Sequence, residues 1–235
     1  GRADGHHEDV VAEAAPVEFS IPAMGAYSAT WPVDCAKSDR IVREMADWLR
    51  EQERWGWGAA LFMLSTGEQK DLDEVARRYR ERFGEGFNHD RPGHTWSIGY
   101  TGIAVCEYYL RTGDRSVLPA VKSMADFLRD TMYNGSWMGR NGVNFRYMAG
   151  GHLNAAGLHA VTFILMAKEC GVDVDDRLIS EAFVHLYRYA GRGNVAYGDH
   201  LPEGGMVDNG KVGKLAFTMQ AAANLTGKGE DSVYA

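Results

Sequence analysis

Cysteine is scarce in this chain: Cys35, Cys106 and Cys170 stand far apart in 235 residues, with no CxxC and no Cys/His pair at ligand spacing. Neither a disulfide framework nor a structural zinc site is indicated. Apolar runs are short, and none approaches the roughly 20 residues that a membrane helix needs, so membrane insertion is not expected. Basic residues form no run, and the formal charge is −7, which argues against a nucleic-acid surface and equally against an anionic lipid surface. HExxH, a Gly-Lys-Ser phosphate loop and a GxSxG elbow are all missing, which disfavours zinc peptidase, P-loop and α/β-hydrolase chemistry. The glycines of "GRGNVAYG" follow no strand pattern, so a dinucleotide loop is not expected either. No metal and no cofactor is assigned. The chain opens "GRADGHH" without a methionine, so a missing signal peptide decides nothing and the compartment stays open, export included.

Alternating β-branched residues are also rare, and what is present instead is a repeated helical grammar. "LFMLSTGEQKDLDEVARRYRERF" and "YYLRTGDRSVLPAVKSMADFL" each run an apolar helix into a Thr-Gly turn, then open an amphipathic helix with acidic and polar residues. The same order recurs more loosely in "LMAKECGVDVDDRLISEAFVHLYRY" and "AAANLTGKGEDSVYA". Glycine after the first helix suits a left-handed cap, and Asp73, Asp114 and Asp176 suit the acidic first turn of the second. "TGIAVCEYYL" and "AAGLHAVTFILMA" are apolar on most faces and predict inner helices; "SVLPAVKSMADFLRDTM" and "DCAKSDRIVREMADWLREQE" carry one apolar stripe and predict outer ones. The fold class is therefore all-α: repeated hairpins of an α/α toroid. Six hairpins of roughly 50 residues need about 300, so an incomplete ring of about four is expected, with residues 1–30 an extended segment and 31–235 the toroid domain. An open arc leaves apolar surface at both ends, to be covered by a homodimer partner, by further chain or by the N-terminal segment.

"GHTWSIGYTGIAVCEYYLRTGD", "GGHLNAAGLHAVTFILMAKECGV" and "YGDHLPEGGMVDNGKVG" resemble successive blocks of a bacterial α/α-toroid family of unknown function, whose longer members carry a PDZ-like domain ahead of the toroid. The resemblance covers about Gly93 to Gly213. It implies fold and site position, and no reaction.

In such a toroid the turns entering the inner helices meet on one rim. Here they are "ERWGWG", "HDRPGHTW", "RYMAGGHLN" and "YGDHLPEGGMVDNGK", and they place Trp55, Trp57, His89, Asp90, His94, Trp96, His152, Asn154, Tyr197, Asp199, His200, Asp208, Asn209 and Lys211 together. Asp199 and Asp208 are the candidate acid and base, with His200 and Lys211 as charge partners; the plain alternative is a pair of Asx turns in a glycine-rich loop. His94, Trp96, Tyr100, His152, Asn154, Tyr197, Asn209 and Lys211 are candidate substrate contacts, the aromatics suiting a sugar ring. Asn154 could instead cap the helix it opens. His159 reads as a hydrogen-bonded core histidine, and "DVDD" at Asp173 to Asp176 as a helix cap rather than a cyclase acid.

The leading expectation is a carbohydrate-active domain. A glycoside hydrolase would use Asp199 and Asp208, with Asp90 and Glu203 behind them; a polysaccharide lyase would use Tyr197 or His200 as base, with Arg140 or Lys211 neutralising a uronate. The rival is a non-catalytic glycan- or peptide-binding scaffold.

Overall fold

Thr-Gly turns end two helices of this chain, and Gly171 ends a third. The backbone of Gly67, Gly113 and Gly171 takes φ of +70°, +69° and +79°, the left-handed region that a Cβ disfavours. In the computed structural model, which describes residues 25–88, 94–138, 152–191, 195–198 and 211–225, these turns join helices into hairpins. The helices are α1 (Ala36–Glu51), α2 (Trp57–Thr66), α3 (Gln69–Phe83), α4 (Thr95–Thr112), α5 (Leu118–Thr131), α6 (Asn154–Glu169), α7 (Asp176–Tyr187) and α8 (Val212–Leu225). Among the described residues there is no strand, only an isolated bridge between Tyr133 and Ser136. The all-α reading holds.

The chain divides into two compact units, residues 1–44 and 45–235, the division falling within α1. In the first, the Lys37 ammonium stands 3.9 Å above the Tyr27 ring, and Tyr27 meets Trp31 edge to face at 5.6 Å.

In the second unit the even-numbered helices pack in a row, α2 on α4, α4 on α6 and α6 on α8, while α3, α5 and α7 each pack back on the helix before them. Burial separates the two sets. Every residue of α6 from Asn154 to Ala167 is buried, whereas α3 buries one stripe through Asp71, Val75, Tyr79 and Phe83 at a spacing of four. Its outer face carries Glu and Arg, paired as Glu74 with Arg77 and Arg78. Two glycines set how closely α4 meets α6: a Cβ on Gly99 would lie 2.8 Å from His159 Cβ, and one on Gly102 would lie 2.3 Å from the Phe163 ring.

α8 buries only Thr218, Ala222 and Ala223, and Phe217 is 56% exposed. Apolar surface is thus exposed on α8.

Local details also correct the sequence reading. The acidic first-turn residue of α3 is Asp71, not Asp73. Asp71 is fully buried, where its carboxylate accepts from the Thr66 hydroxyl at 2.8 Å and from the Arg50 guanidinium. Asp73 lies two residues further on, paired with Gln69. The "DVDD" motif does cap: Asp175 accepts from the Arg177 backbone N–H at 2.8 Å.

Candidate functional site

Each even-numbered helix contributes residues from its first two turns to one connected surface. Trp57, the first residue of α2, stacks on Tyr100 of α4 at 4.2 Å and 10°. Tyr100 lies 3.9 Å from His159 of α6, and its hydroxyl accepts from Lys214 Nζ of α8 at 3.1 Å. Lys214 also donates to the Ala155 carbonyl at 3.3 Å and stands 5.5 Å from the Trp96 ring centre. Trp96 in turn neighbours Tyr197 at 6.3 Å, and the Lys211 ammonium stands 5.2 Å over that tyrosine. Because the same end of all four helices meets here, α2, α4, α6 and α8 run in the same direction.

Backbone bonds fix this arrangement. Ala155 N–H donates to the Tyr197 carbonyl at 3.1 Å, and Lys211 N–H to the Val195 carbonyl at 2.8 Å, so the segment carrying Tyr197 is tied to the starts of both α6 and α8. Lys211, just before α8, and Lys214, Thr218 and Ala222 on it follow a three-four-four spacing that puts them on one face. Thr218 on that face meets Thr162 at 3.0 Å and donates to the Leu158 carbonyl at 3.1 Å, which aims the lysines towards α6 and α4.

The electrostatics of the cluster are cationic and only partly wetted. Burial first, and then the Lys214 charge, push the His159 imidazole down to about 4. The same two causes, in the same order, hold the Lys211 ammonium below its ordinary value. His159 is 9% exposed, and its Nε2 has no hydrogen-bond partner, a rare condition for a buried polar atom. This corrects the expectation of a hydrogen-bonded core histidine.

A pH consequence follows. The folded pKa of His159 lies below its ordinary 6.5, so between pH 6.5 and 4 the unfolded chain binds more protons and stability rises with pH. The contribution is complete above pH 6.5 and lost as the pH falls towards 4, a change on the order of 3 kcal/mol. Urea midpoints at pH 7 and pH 4.5 should therefore converge in His159→Gln relative to the parent chain. An unaltered gap between the two pH values would show that another group carries it.

The other candidates have varied positions. His94 caps α4: its Nδ1 accepts from Ser97 N–H at 3.4 Å, and the Ser97 side chain answers to the His94 backbone. His152 and Asn154 sit in a neighbouring polar knot. His152 Nε2 meets the Tyr133 carbonyl at 2.6 Å, while Asn154 bonds Tyr189 at 2.6 Å, the Ala196 carbonyl at 3.2 Å and His185 at 3.0 Å. Asn154 therefore ties α6 to α7 and the segment after it; Leu153 takes the cap position, without a side-chain cap. The structure brings Trp96, Tyr100, Tyr197 and Lys211 together. Asp199, His200, Asp208 and Asn209 lie outside the described residues, as do His89, Asp90, Arg140 and Glu203. Sequence reasoning missed Lys214, whose signal was its spacing from Lys211 and Thr218.

Beside Trp57 a cavity of about 600 Å³ opens between the loop before α2 and the helices α3 and α4, lined by Arg54, Trp55, Trp57, Arg82 and Thr101 among others. Its wall is rigid on one side. Arg78 stacks 4.2 Å over Trp55 and donates to the Gln52 carbonyl at 2.8 Å, while Trp55 Nε1–H donates to the Leu49 carbonyl at 2.7 Å. Among the described residues no group of three or more His, Cys, Asp or Glu could hold a metal ion, and no helix is long and apolar enough to cross a membrane.

A family model described as a domain of unknown function (DUF6288) matches residues 38–235, in line with a resemblance to a family without an assigned activity. No curated protein and no solved structure matches the chain.

Proposed function

We propose that this chain, which belongs to the DUF6288 family, forms an arc of an α/α toroid with a carbohydrate-active cleft on the rim where the inner helices begin. The inner helices are α2, α4, α6 and α8, and α3, α5 and α7 are outer. One observation carries the reading: the unbroken run Trp57, Tyr100, His159, Lys214, Trp96, Tyr197, built from four helix starts. Flat aromatic faces stack on the C–H face of a pyranose, and hydroxyl and ammonium groups at their edges bond its oxygens. A core of packed aromatics would bury such rings, yet Trp57 is 44% exposed.

Chemistry at this cleft falls to the loop between Tyr197 and Lys211. In hydrolysis, Asp199 and Asp208 flank the glycosidic bond, one carboxylic acid protonating the leaving oxygen and the other attacking or activating water. In elimination, Tyr197 or His200 removes the proton α to a uronate carboxylate. A non-catalytic glycan-binding role is the second reading; it is favoured by the platform's supply of stacking and cationic groups.

Tryptophan fluorescence titrated with a panel of oligosaccharides tests the proposal. The parent chain should give a saturable change with at least one glycan, and Trp96→Ala should weaken that affinity about tenfold, the loss of one good stacking contact. Asp→Asn at a catalytic member should abolish turnover of a glycan that still binds. Full activity in both Asp199→Asn and Asp208→Asn would eliminate them as acid and base.

A further inference from the structure

The cavity beside Trp57 has an aromatic interior and a mouth charged in both signs. Inside, Tyr79 and Phe83 of α3 are 6% and 2% exposed, and Trp55 lies under Arg78 at 4.2 Å. At the mouth, exposed Glu53 and Glu81 line the same cavity as exposed Arg54 and Arg82, while Arg78 is held by Glu74 at 2.6 Å. The two carboxylates offset the two guanidinium groups, so neither a plain anion nor a plain cation is favoured. A second observation points to a ligand. The Tyr79 hydroxyl, on a side chain more than nine-tenths buried, forms no hydrogen bond among the described residues; burial pushes this phenol above its ordinary value, opposed only by the Arg82 charge. Buried tyrosines usually find a partner. Unlike His159 Nε2, this oxygen is not sealed from solvent. Thr101 of α4 lines the cavity too, and its hydroxyl is likewise unbonded among the described residues. Two unbonded hydroxyls from two helices thus share one cavity of about 600 Å³, a volume in the range of small-molecule sites.

Resting on the carbohydrate reading above, we propose that this cavity is a subsite for an uncharged sugar unit, stacked on the face of Trp57 turned from Tyr100 and hydrogen-bonded to the Tyr79 and Thr101 hydroxyls. A sugar hydroxyl donates and accepts at once, so it uses the whole mixed set: it donates to the carboxylates of Glu53 and Glu81 and accepts from Arg54, Arg82 and the Tyr79 phenol. Charged sugars gain less. A uronate or a sulfate ester sets its charge against Glu53 and Glu81, and an amino sugar sets its own against Arg54 and Arg82, so each loses at one pair what it gains at the other.

The test is calorimetry with neutral oligosaccharides of the cello-, xylo-, manno- and malto-series, and with oligogalacturonates as the charged comparison. At least one neutral series should bind. Tyr79→Phe, which keeps the ring, and Thr101→Val, which keeps the shape, should each weaken that affinity about tenfold, the loss of one buried hydrogen bond. Melting temperatures should stay at the parent value, because neither hydroxyl bonds another described residue; a purely structural role would leave the affinity unmoved. The double variant should lose more than either single one, and the single variants carry the test if the double one does not fold. Undiminished affinity in both single variants, or binding confined to the galacturonates, overturns the inference while leaving the carbohydrate reading intact. No affinity for any glycan, neutral or acidic, overturns both.

Discussion

Trp137→Ala is expected to destabilise the protein by about 5 kcal/mol, from an emptied ring site and an orphaned carbonyl. Trp137 is completely buried, its Nε1–H donates to the Leu128 carbonyl at the end of α5 at 2.7 Å, and its own carbonyl accepts from Leu153 N–H just before α6 at 2.8 Å. One residue thus ties the end of α5, through its side chain, and the start of α6, through its backbone. Truncation leaves a ring-sized void that packed helices fill only in part, and the Leu128 carbonyl loses its partner. Native domains hold only 5 to 15 kcal/mol in total, so much of the stability would go. Urea denaturation followed by circular dichroism checks this, and Trp137→Phe, which keeps most of the ring volume, should lose less than half as much. A Trp137→Ala midpoint corresponding to less than about 1 kcal/mol would show that the site collapses around the gap.

Gly99→Val should cost roughly 3 kcal/mol, the upper end for overpacking, and should also abolish glycan binding. Even the first added atom would lie 2.8 Å from His159 Cβ and 2.9 Å from the His159 backbone carbonyl carbon, and a backbone cannot swing aside as a flexible side chain can. α4 must therefore move off α6. Tyr100, the next residue, moves with it, which parts the Tyr100 ring from His159 and its hydroxyl from Lys214 Nζ. Gly99→Ala should be milder, since the clash is smaller and alanine recovers about 1 kcal/mol of helix propensity. Melting temperature and oligosaccharide affinity measured on the same samples check both effects. Loss of stability with binding intact would detach the rim from the α4–α6 contact.

Much of the architecture was legible because local chemistry and packing agree. Gly67, Gly113 and Gly171 each stop a helix in a left-handed turn, and the helices read in "TGIAVCEYYL" and "AAGLHAVTFILMA" are found within Thr95–Thr112 and Asn154–Glu169. Fully buried and one-sided helices separated by pattern: α6 has no polar stripe, α3 and α5 each have one apolar stripe. The site was less legible, for reasons particular to each residue. Lys214 lies on a helix that also carries Gln220 and Asn224, bonded to each other on an exposed face, so polarity alone does not fix which way it points; contact with α6 through Thr218 does. His159 looked like any histidine within a buried helix, because the absence of a partner for Nε2 depends on what α4 and α8 bring against it. His94 and Asn154 are polar residues at helix starts, where capping, tertiary bonding and ligand contact favour the same side chains. Only the observed bonds assign the first to a cap and the second to the α6–α7 junction.

Crystals soaked with an oligosaccharide that binds in solution test the central claim most directly. The account predicts a sugar ring stacked on Trp96, with Lys214 Nζ within hydrogen-bond distance of the ring's substituents and the chain extending past Trp57. A glycan seated elsewhere on the protein, with these residues left bare at saturating concentration, would contradict it.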